Sequence, residues 1–473
     1  MSQLLTHDPE RLIEKAARAV YSIFGMSLLP FLVAHLLWRG LKQPDYRCYW
    51  AERFFGMSVQ RSKYRAQTST AFPTKAGLQV LWIHAVSVGE TRAAAPLIES
   101  WLARDDSHRV VLTHTTPTGR ETGQSLFAKW LAMDTPRMVQ RYLPYDLIWA
   151  NAMFFAWAQP TLGVLMETEL WPNLLAQAHQ RRLPVVLINA RLSPRSAKRL
   201  RQFTWLARPA IARLAGIAAQ TQADAQGFRD AVSRESPQET QDEFSGPQMQ
   251  VVGNMKFDVD VPQAMRDLGD QWRKMAGRQF VWLAASTRDD EESQICESWQ
   301  RAMREGRLSH NHLLVIVPRH PQRFDRAVRL VETSGLTVQR RSSWDPTAPA
   351  DVLIGDSLGE MFAYLQMADL VLMGGSLPAL GGQNPVEACA VGRPVFFGPN
   401  MFNFLQIARS LKACGVGKEI DSTDDWINQG ARLLADVDGY AEVRQSAQEF
   451  AKTHRGATMR TAAFLESILR AVR

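Results

Sequence analysis

The feature that most constrains this chain is a repeated alternation of short, unbroken apolar runs with segments of helical spacing. The runs are Leu78–Val86, Arg109–Thr116, Thr161–Glu167, Pro184–Ala190 and Ile217–Thr221, then Phe280–Ser286, Leu313–Arg319, Asp351–Asp356, Leu370–Gly375 and Arg393–Pro399. A strand that is apolar on both faces belongs to a parallel sheet covered by helices on both sides. A polar stretch, Ser233–Gln248, separates the two series and reads as a solvated loop. At 473 residues the chain is too long for one ordinary core. The expected fold is therefore α/β, with two Rossmann-like parallel-sheet domains facing a cleft. The boundaries are drawn at 1–50, 51–255 and 256–473. In open parallel sheets ligands bind beyond the carboxyl ends of the strands, so the residues just after each run are the candidates.

The segment before the first domain differs in kind. Ala19–Trp38 carries no Asp, Glu, Lys or Arg and has the length that spans a bilayer. Pro30, His35 and Gly25 interrupt it, and a buried helix of the first domain is the competing reading. Arg39, Lys42, Arg47 and Arg53 follow it, which by the positive-inside rule places the globular part in the cytoplasm. The expectation is a single anchor that either spans the membrane or lies in its inner leaflet. The net charge of +8 suits nucleic acid, an anionic membrane or a phosphorylated substrate, and does not choose among them. Cys48, Cys296, Cys389 and Cys414 are far apart with no CxxC pair, as in a reducing compartment without structural zinc.

Several strand ends carry polar motifs. In HAVSVGE, Ser87 and Glu90 have capping-box spacing. An ordinary helix start explains them; so does a carboxylate held at the cleft to take a proton from a substrate hydroxyl. METELWPN puts Glu167 and Glu169 after a strand, with Pro172 opening a helix and Trp171 in its cap region. In the second half, VPRHP places Arg319 and His320 after a strand. GDSLGEM offers Ser357 as N-cap with Glu360 at N3. GGSLPALGGQNPVEA supplies a glycine-rich loop, then Asn384 as N-cap, Pro385 at N1 and Glu387 at N3. Such helix starts suit anions, although plain capping is common. The chain lacks GxxxxGK[ST], HExxH, GxSxG and a CxxC cluster, and His84, His114, His179 and His320 form no ligand set.

HAVSVGE, TTPTGRETG, YLPYD, METELWPN, INARLS, GNMKFD, VPRHPQRF, GDSLGEM, GGSLPALGGQNPVEA and GPNMFNF, in this order, resemble the Kdo transferases of lipopolysaccharide synthesis. The resemblance covers nearly the whole chain. It implies a GT-B architecture behind an N-terminal anchor (1–50), with an acceptor domain (51–255) and a CMP-sugar-binding domain (256–473). It implies CMP-Kdo as donor and a tetraacylated disaccharide lipid A precursor as acceptor, at the cytoplasmic face of the bacterial inner membrane. The basic surface adds anionic lipids of the inner membrane as an expected partner, nucleic acid is not expected, and no cofactor is called for. By matching position, Glu90 resembles the family's general base. Glu167 and Lys256 resemble its transition-state stabilisers. Pro318 and Arg319, then Leu358, Gly359 and Glu360, then Asn384, Pro385, Val386 and Glu387, match its CMP-binding segments. The chain departs from the pattern mainly in the polar loop 233–248, which is longer than in the family.

That chemistry needs no metal: a monophosphate leaving group is already a stable anion, and the sequence offers no metal-ligand cluster. Two other readings stay open at this stage. One is a GT-B enzyme using a UDP-sugar; the other is a membrane-tethered binding protein that kept the fold without catalysis.

Overall fold

The structure is a computed structural model, and it describes residues 12–56, 70–72, 77–133, 135–232, 246–288 and 291–472. Most of the polar loop, residues 233–245, lies outside them. Packing divides the chain into two units, Met1–Lys256 with Gly456–Arg473, and Phe257–Arg455.

The first unit is built on a seven-stranded, all-parallel sheet. Its strands are β1 (Gln79–His84), β2 (His108–His114), β3 (Met138–Tyr142), β4 (Leu162–Met166), β5 (Val185–Ala190), β6 (Gly216–Ala219) and β7 (Gln248–Val251), in the spatial order β3-β2-β1-β4-β5-β6-β7. Helices cover both faces. Along β1, Leu81 and Ile83 enter one core and Val80 and Trp82 the other. This is why the strand reads as an unbroken apolar run rather than as an alternation. The second unit repeats the plan with β8 (Phe280–Thr287), β9 (His312–Pro318), β10 (Val338–Arg340), β11 (Val352–Ile354), β12 (Leu370–Met373), β13 (Val395–Phe397) and β14 (Gly417–Glu419), ordered β10-β11-β9-β8-β12-β13-β14. Here Val281, Leu283 and Ala285 of β8 face one core, and Trp282 and Ala284 the other.

The last helix, Ala457–Val472, belongs to the first unit, where Phe464, Leu465 and Ile468 join the core beneath β1 and β2. The sequence boundaries had run the second domain to residue 473. Apolar spacing marks a helix's buried face but not the sheet that face meets.

The N-terminal segment also differs from a single straight anchor. Leu12–Ser27 and Leu29–Lys42 are separate helices. The pair Glu14–Ser27 and Leu29–Leu41 is bent by 46° at the break. Pro30 explains the break: it has no N–H for the Met26 carbonyl, and its ring crowds that carbonyl. Among the described residues no single helix is long and apolar enough to cross a membrane, whereas the bent pair meets that test in length and composition. Val20, Ile23, Phe24, Phe31 and Leu41 are exposed. The opposite side is docked on the first unit through a Glu14–Arg213 ion pair (3.1 Å) and a hydrogen bond from Ser22 to Asn173 (3.2 Å).

Candidate functional site

The strand order places the site. In the first sheet the chain runs outward from β1 through β2 to β3, then returns to lay β4 on the other side of β1. The carboxyl ends of β1 and β4 therefore flank the switch point, where open α/β sheets bind ligands. HAVSVGE follows β1 and METE follows β4.

After β1, Ser87 caps the helix Val88–Arg104, accepting from the Glu90 N–H. The Glu90 carboxylate accepts in return from the Val86 N–H (2.8 Å) and the Ser87 hydroxyl (2.9 Å). This is a variant of the capping box, with the carboxylate on the Val86 N–H and the Ser87 hydroxyl in place of the Ser87 N–H. It does not exhaust Glu90, because a carboxylate has about four lone-pair sites and the cap uses two. The side chain is 7% exposed. Burial, and then the Glu167 carboxylate, push its carboxyl up to about 7, against the Val86 N–H, the Ser87 hydroxyl and Lys256. Such a group changes protonation near neutral pH, where a general base works best.

Glu167 follows β4 directly, in the left-handed region at φ 62°, with its N–H bonded to the Ile188 carbonyl of β5 (2.9 Å). A non-glycine residue there is strained by about 1 kcal/mol, a conformation that tends to persist where function holds it. Its carboxylate meets the Lys256 ammonium at 2.5 Å. Lys256 sits in a single helical turn, Met255–Phe257, and its stem passes over the first turn of the Glu90 helix: a Cβ added at Gly89 would lie 3.7 Å from the lysine Cε. Glu90, Glu167 and Lys256 therefore converge. Glu169 turns away to accept from the Trp171 indole N–H (2.6 Å). Trp171 occupies the N-cap position of the helix Pro172–Gln180, as its sequence position implies, without a capping side-chain hydrogen bond. Beneath the site, His84 is fully buried, and burial together with His114 holds it down at about 3, so it is neutral at physiological pH.

In the second unit the switch lies between β8 and β12. The sequence-selected segments sit at the carboxyl ends of neighbouring strands: Pro318 ends β9 and Arg319 follows it, with its N–H bonded to the Thr287 carbonyl (2.9 Å). Leu358 and Gly359, both exposed, and Glu360 follow β11; Asn384, Pro385, Val386 and Glu387 follow β12. Two expected caps need correction. Ser357 does not cap a helix with Glu360 at N3; the helix is Met361–Met367, Glu360 is the residue before it, and the Ser357 hydroxyl pairs with the Tyr364 hydroxyl (2.7 Å). The next helix is only Val386–Ala390, so Pro385 rather than Asn384 precedes it, although the Asn384 side chain still accepts from the Val386 N–H (3.2 Å). Glu360 is held by the Arg341 guanidinium, which lies over the Trp272 ring (4.5 Å).

Two residues escaped the sequence reading. Glu291, 2% exposed, bridges the switch by accepting from the N–H groups of Arg288 (2.8 Å) and Gly375 (2.7 Å). Asn189 of β5 is fully buried at φ 49°, and its side-chain oxygen accepts from the Met255 N–H (2.9 Å). INARLS marked the segment, but these roles rest on contacts between residues distant in sequence. Among the described residues no group of three or more His, Cys, Asp or Glu has a metal-holding arrangement.

A family profile described as 3-deoxy-D-manno-octulosonic-acid transferase (kdotransferase) matches residues 49–259, the stretch that carries Glu90, Glu167 and Lys256. A 3-deoxy-D-manno-octulosonic acid transferase of Bordetella pertussis is 37% identical over 96% of this chain and 99% of its own. One from Haemophilus influenzae is 31% identical over 95% and 99%. Among solved structures, the C-terminal CMP-Kdo binding domain of WaaA from Acinetobacter baumannii aligns at 25% identity, covering 40% of this chain and 98% of that one, with a TM-score of 0.37. Near-complete matches above 30% identity settle the assignment: this chain belongs to the 3-deoxy-D-manno-octulosonic acid (Kdo) transferase family and is a glycosyltransferase.

Proposed function

We propose that the chain transfers Kdo from CMP-Kdo to a lipid A precursor, a tetraacylated disaccharide phospholipid, in lipopolysaccharide synthesis. The observation that carries the reading is Glu90: a buried carboxyl at the sheet switch point, raised to about 7, beside the Glu167–Lys256 pair. In the step, an acceptor hydroxyl oxygen bonds to the anomeric carbon of Kdo, and the bond from that carbon to the CMP phosphate oxygen breaks. The hydroxyl proton passes to Glu90. CMP departs as a phosphate monoester, which carries the charge without help from a diphosphate-binding metal. Lys256, steered by Glu167, supplies positive charge to the developing anion. Pro318, Arg319, Leu358, Gly359, Glu360 and Asn384 to Glu387 hold the nucleotide. The bent N-terminal pair, with its exposed apolar side, keeps the protein at the cytoplasmic face of the inner membrane, where the basic net charge favours anionic lipids and a phosphorylated acceptor.

The test is mass spectrometry of the lipid formed from CMP-Kdo and the tetraacylated disaccharide, run beside calorimetric titration with CMP. Glu90→Gln should lower the single-turnover rate by about 10² or more with CMP affinity unchanged. Glu387→Ala should instead weaken CMP binding by roughly tenfold, the loss of one buried hydrogen bond. Displacement of the nucleotide by UDP rather than CMP would assign a different donor. Full turnover in Glu90→Gln would remove Glu90 as the base.

A further inference from the structure

We infer that Asn189 is the positioning residue that sets Lys256 against Glu167, an inference that rests on the catalytic reading above. Glu167 and Lys256 come from different parts of the chain, and the carboxyl end of β5 touches both. The Ile188 carbonyl accepts the Glu167 N–H (2.9 Å), and the next residue, Asn189, accepts the Met255 N–H through its side-chain oxygen (2.9 Å). Lys256 follows at once, and its own N–H is held by the Asn254 side chain (2.9 Å). Two neighbouring residues of one strand thus fix both partners of the 2.5 Å ion pair.

The local structure is bent to this purpose. Asn189 stands at φ 49° inside a strand, where the β5–β6 register shifts between Leu187 and Ala190. Its side chain is fully buried. Met255 N–H can only donate, so the atom facing it must be the amide oxygen, which fixes the amide's orientation. The amide nitrogen is then a buried donor with no hydrogen-bond partner among the described residues. A strained backbone and an unmet donor coincide at one residue, the pattern expected where position matters more than local stability. Few residue types fit. Glycine accepts the left-handed backbone but offers no acceptor. Aspartate offers one but adds a carboxylate beside Glu167. Asparagine alone combines left-handed tolerance with a neutral oxygen.

The test is a double-mutant cycle in the full-length enzyme with CMP-Kdo and the tetraacylated acceptor. Asn189→Gly keeps the backbone conformation and removes the acceptor. It should melt within a few degrees of wild type and bind CMP normally, while kcat falls roughly 10- to 100-fold, as displaced catalytic groups do. In a Lys256→Met background the same change should cost nothing further, because the group it positions is gone. Asn254→Ala, which removes the other clamp on the lysine turn, should behave alike and serves if Asn189→Gly does not fold. An equal loss in both backgrounds, or unchanged kcat in Asn189→Gly, overturns the inference alone. Wild-type turnover in Lys256→Met overturns the catalytic reading and the inference with it.

Discussion

At the scale of single residues, Glu90 is both the partner of the helix cap Ser87 and the candidate base. The Ser87–Glu90 spacing made the helix cap legible in the sequence, and Ser87 caps as expected, but the Glu90 carboxylate takes the Val86 N–H rather than the Ser87 N–H. Spacing could not reveal that the carboxyl is buried beside Glu167, because that neighbour arrives through the pairing of β1 with β4. Asn189 was hidden for the same reason: its partner Met255 is reached only through the folded sheet. The raised Glu90 value makes two linked predictions. A base must be ionised, so turnover should fall about tenfold per pH unit below about 7. The stability effect has the opposite sense. The folded chain binds this proton more tightly than the unfolded chain, whose carboxyl titrates near 4.5. The contribution to stability is therefore full below about 4.5 and is lost as pH rises through 7. Glu90→Gln removes that loss, and should gain on wild type by about 1–3 kcal/mol between pH 5 and pH 8. Urea unfolding at the two pH values checks this, and an unchanged difference would mean that Glu90 ionises freely in the folded state.

Elements were legible to the extent that they are buried. All ten apolar runs became strands, most of them shortened by a residue or more; β8 runs one residue further, to Thr287, and β9 keeps its length one residue earlier. The four strands that the runs missed, β3, β7, β10 and β14, are the two edges of each sheet. An edge strand is covered on fewer sides and can be polar: β7 is QMQV, β10 is VQR and β14 is GKE. They were missed because sheet order, not composition, makes them strands. Glycines at the second switch point show the reverse case, where composition is dictated by contact. A Cβ on Gly374, just after β12, would lie 2.3 Å from the Ser286 carbonyl oxygen and 2.7 Å from the Thr287 Cα. Both are backbone of β8, so neither can rotate aside. Gly374→Ala should force the ends of β8 and β12 apart and destabilise the second unit by about 1–3 kcal/mol or more. Gly359→Ala is the control. Unlike Gly374, that residue sits at positive φ, but among the described residues nothing lies within 4 Å of its Cβ, so only the backbone strain of about 1 kcal/mol remains. Equal unfolding midpoints for the two variants would show that the switch region is loosely packed.

For the whole molecule, the return of the last helix to the first unit separates what the two units need. The two cores of the second unit are drawn entirely from residues between Phe257 and Phe450 or Ala451. The first unit needs its C-terminal helix: Phe464, Leu465 and Ile468 are at most 5% exposed, and Phe464 packs so closely over Gly216 that a Cβ there would lie 2.8 Å from its ring. Burying each such side chain stabilises by about 1.5–3 kcal/mol, so the three together match much of the roughly 5–15 kcal/mol by which a domain is stable. Ending the chain after Arg455 should therefore unfold the first unit while leaving the second intact. Calorimetry should show one unfolding transition lost and the other within a few degrees of its place. CMP affinity, assigned here to the second unit, should stay within about twofold, and transfer to the acceptor should vanish. If the truncated chain lost CMP binding but kept the first-unit transition, the nucleotide site would have to be sought among the residues of the first unit, with Lys256 the first to test.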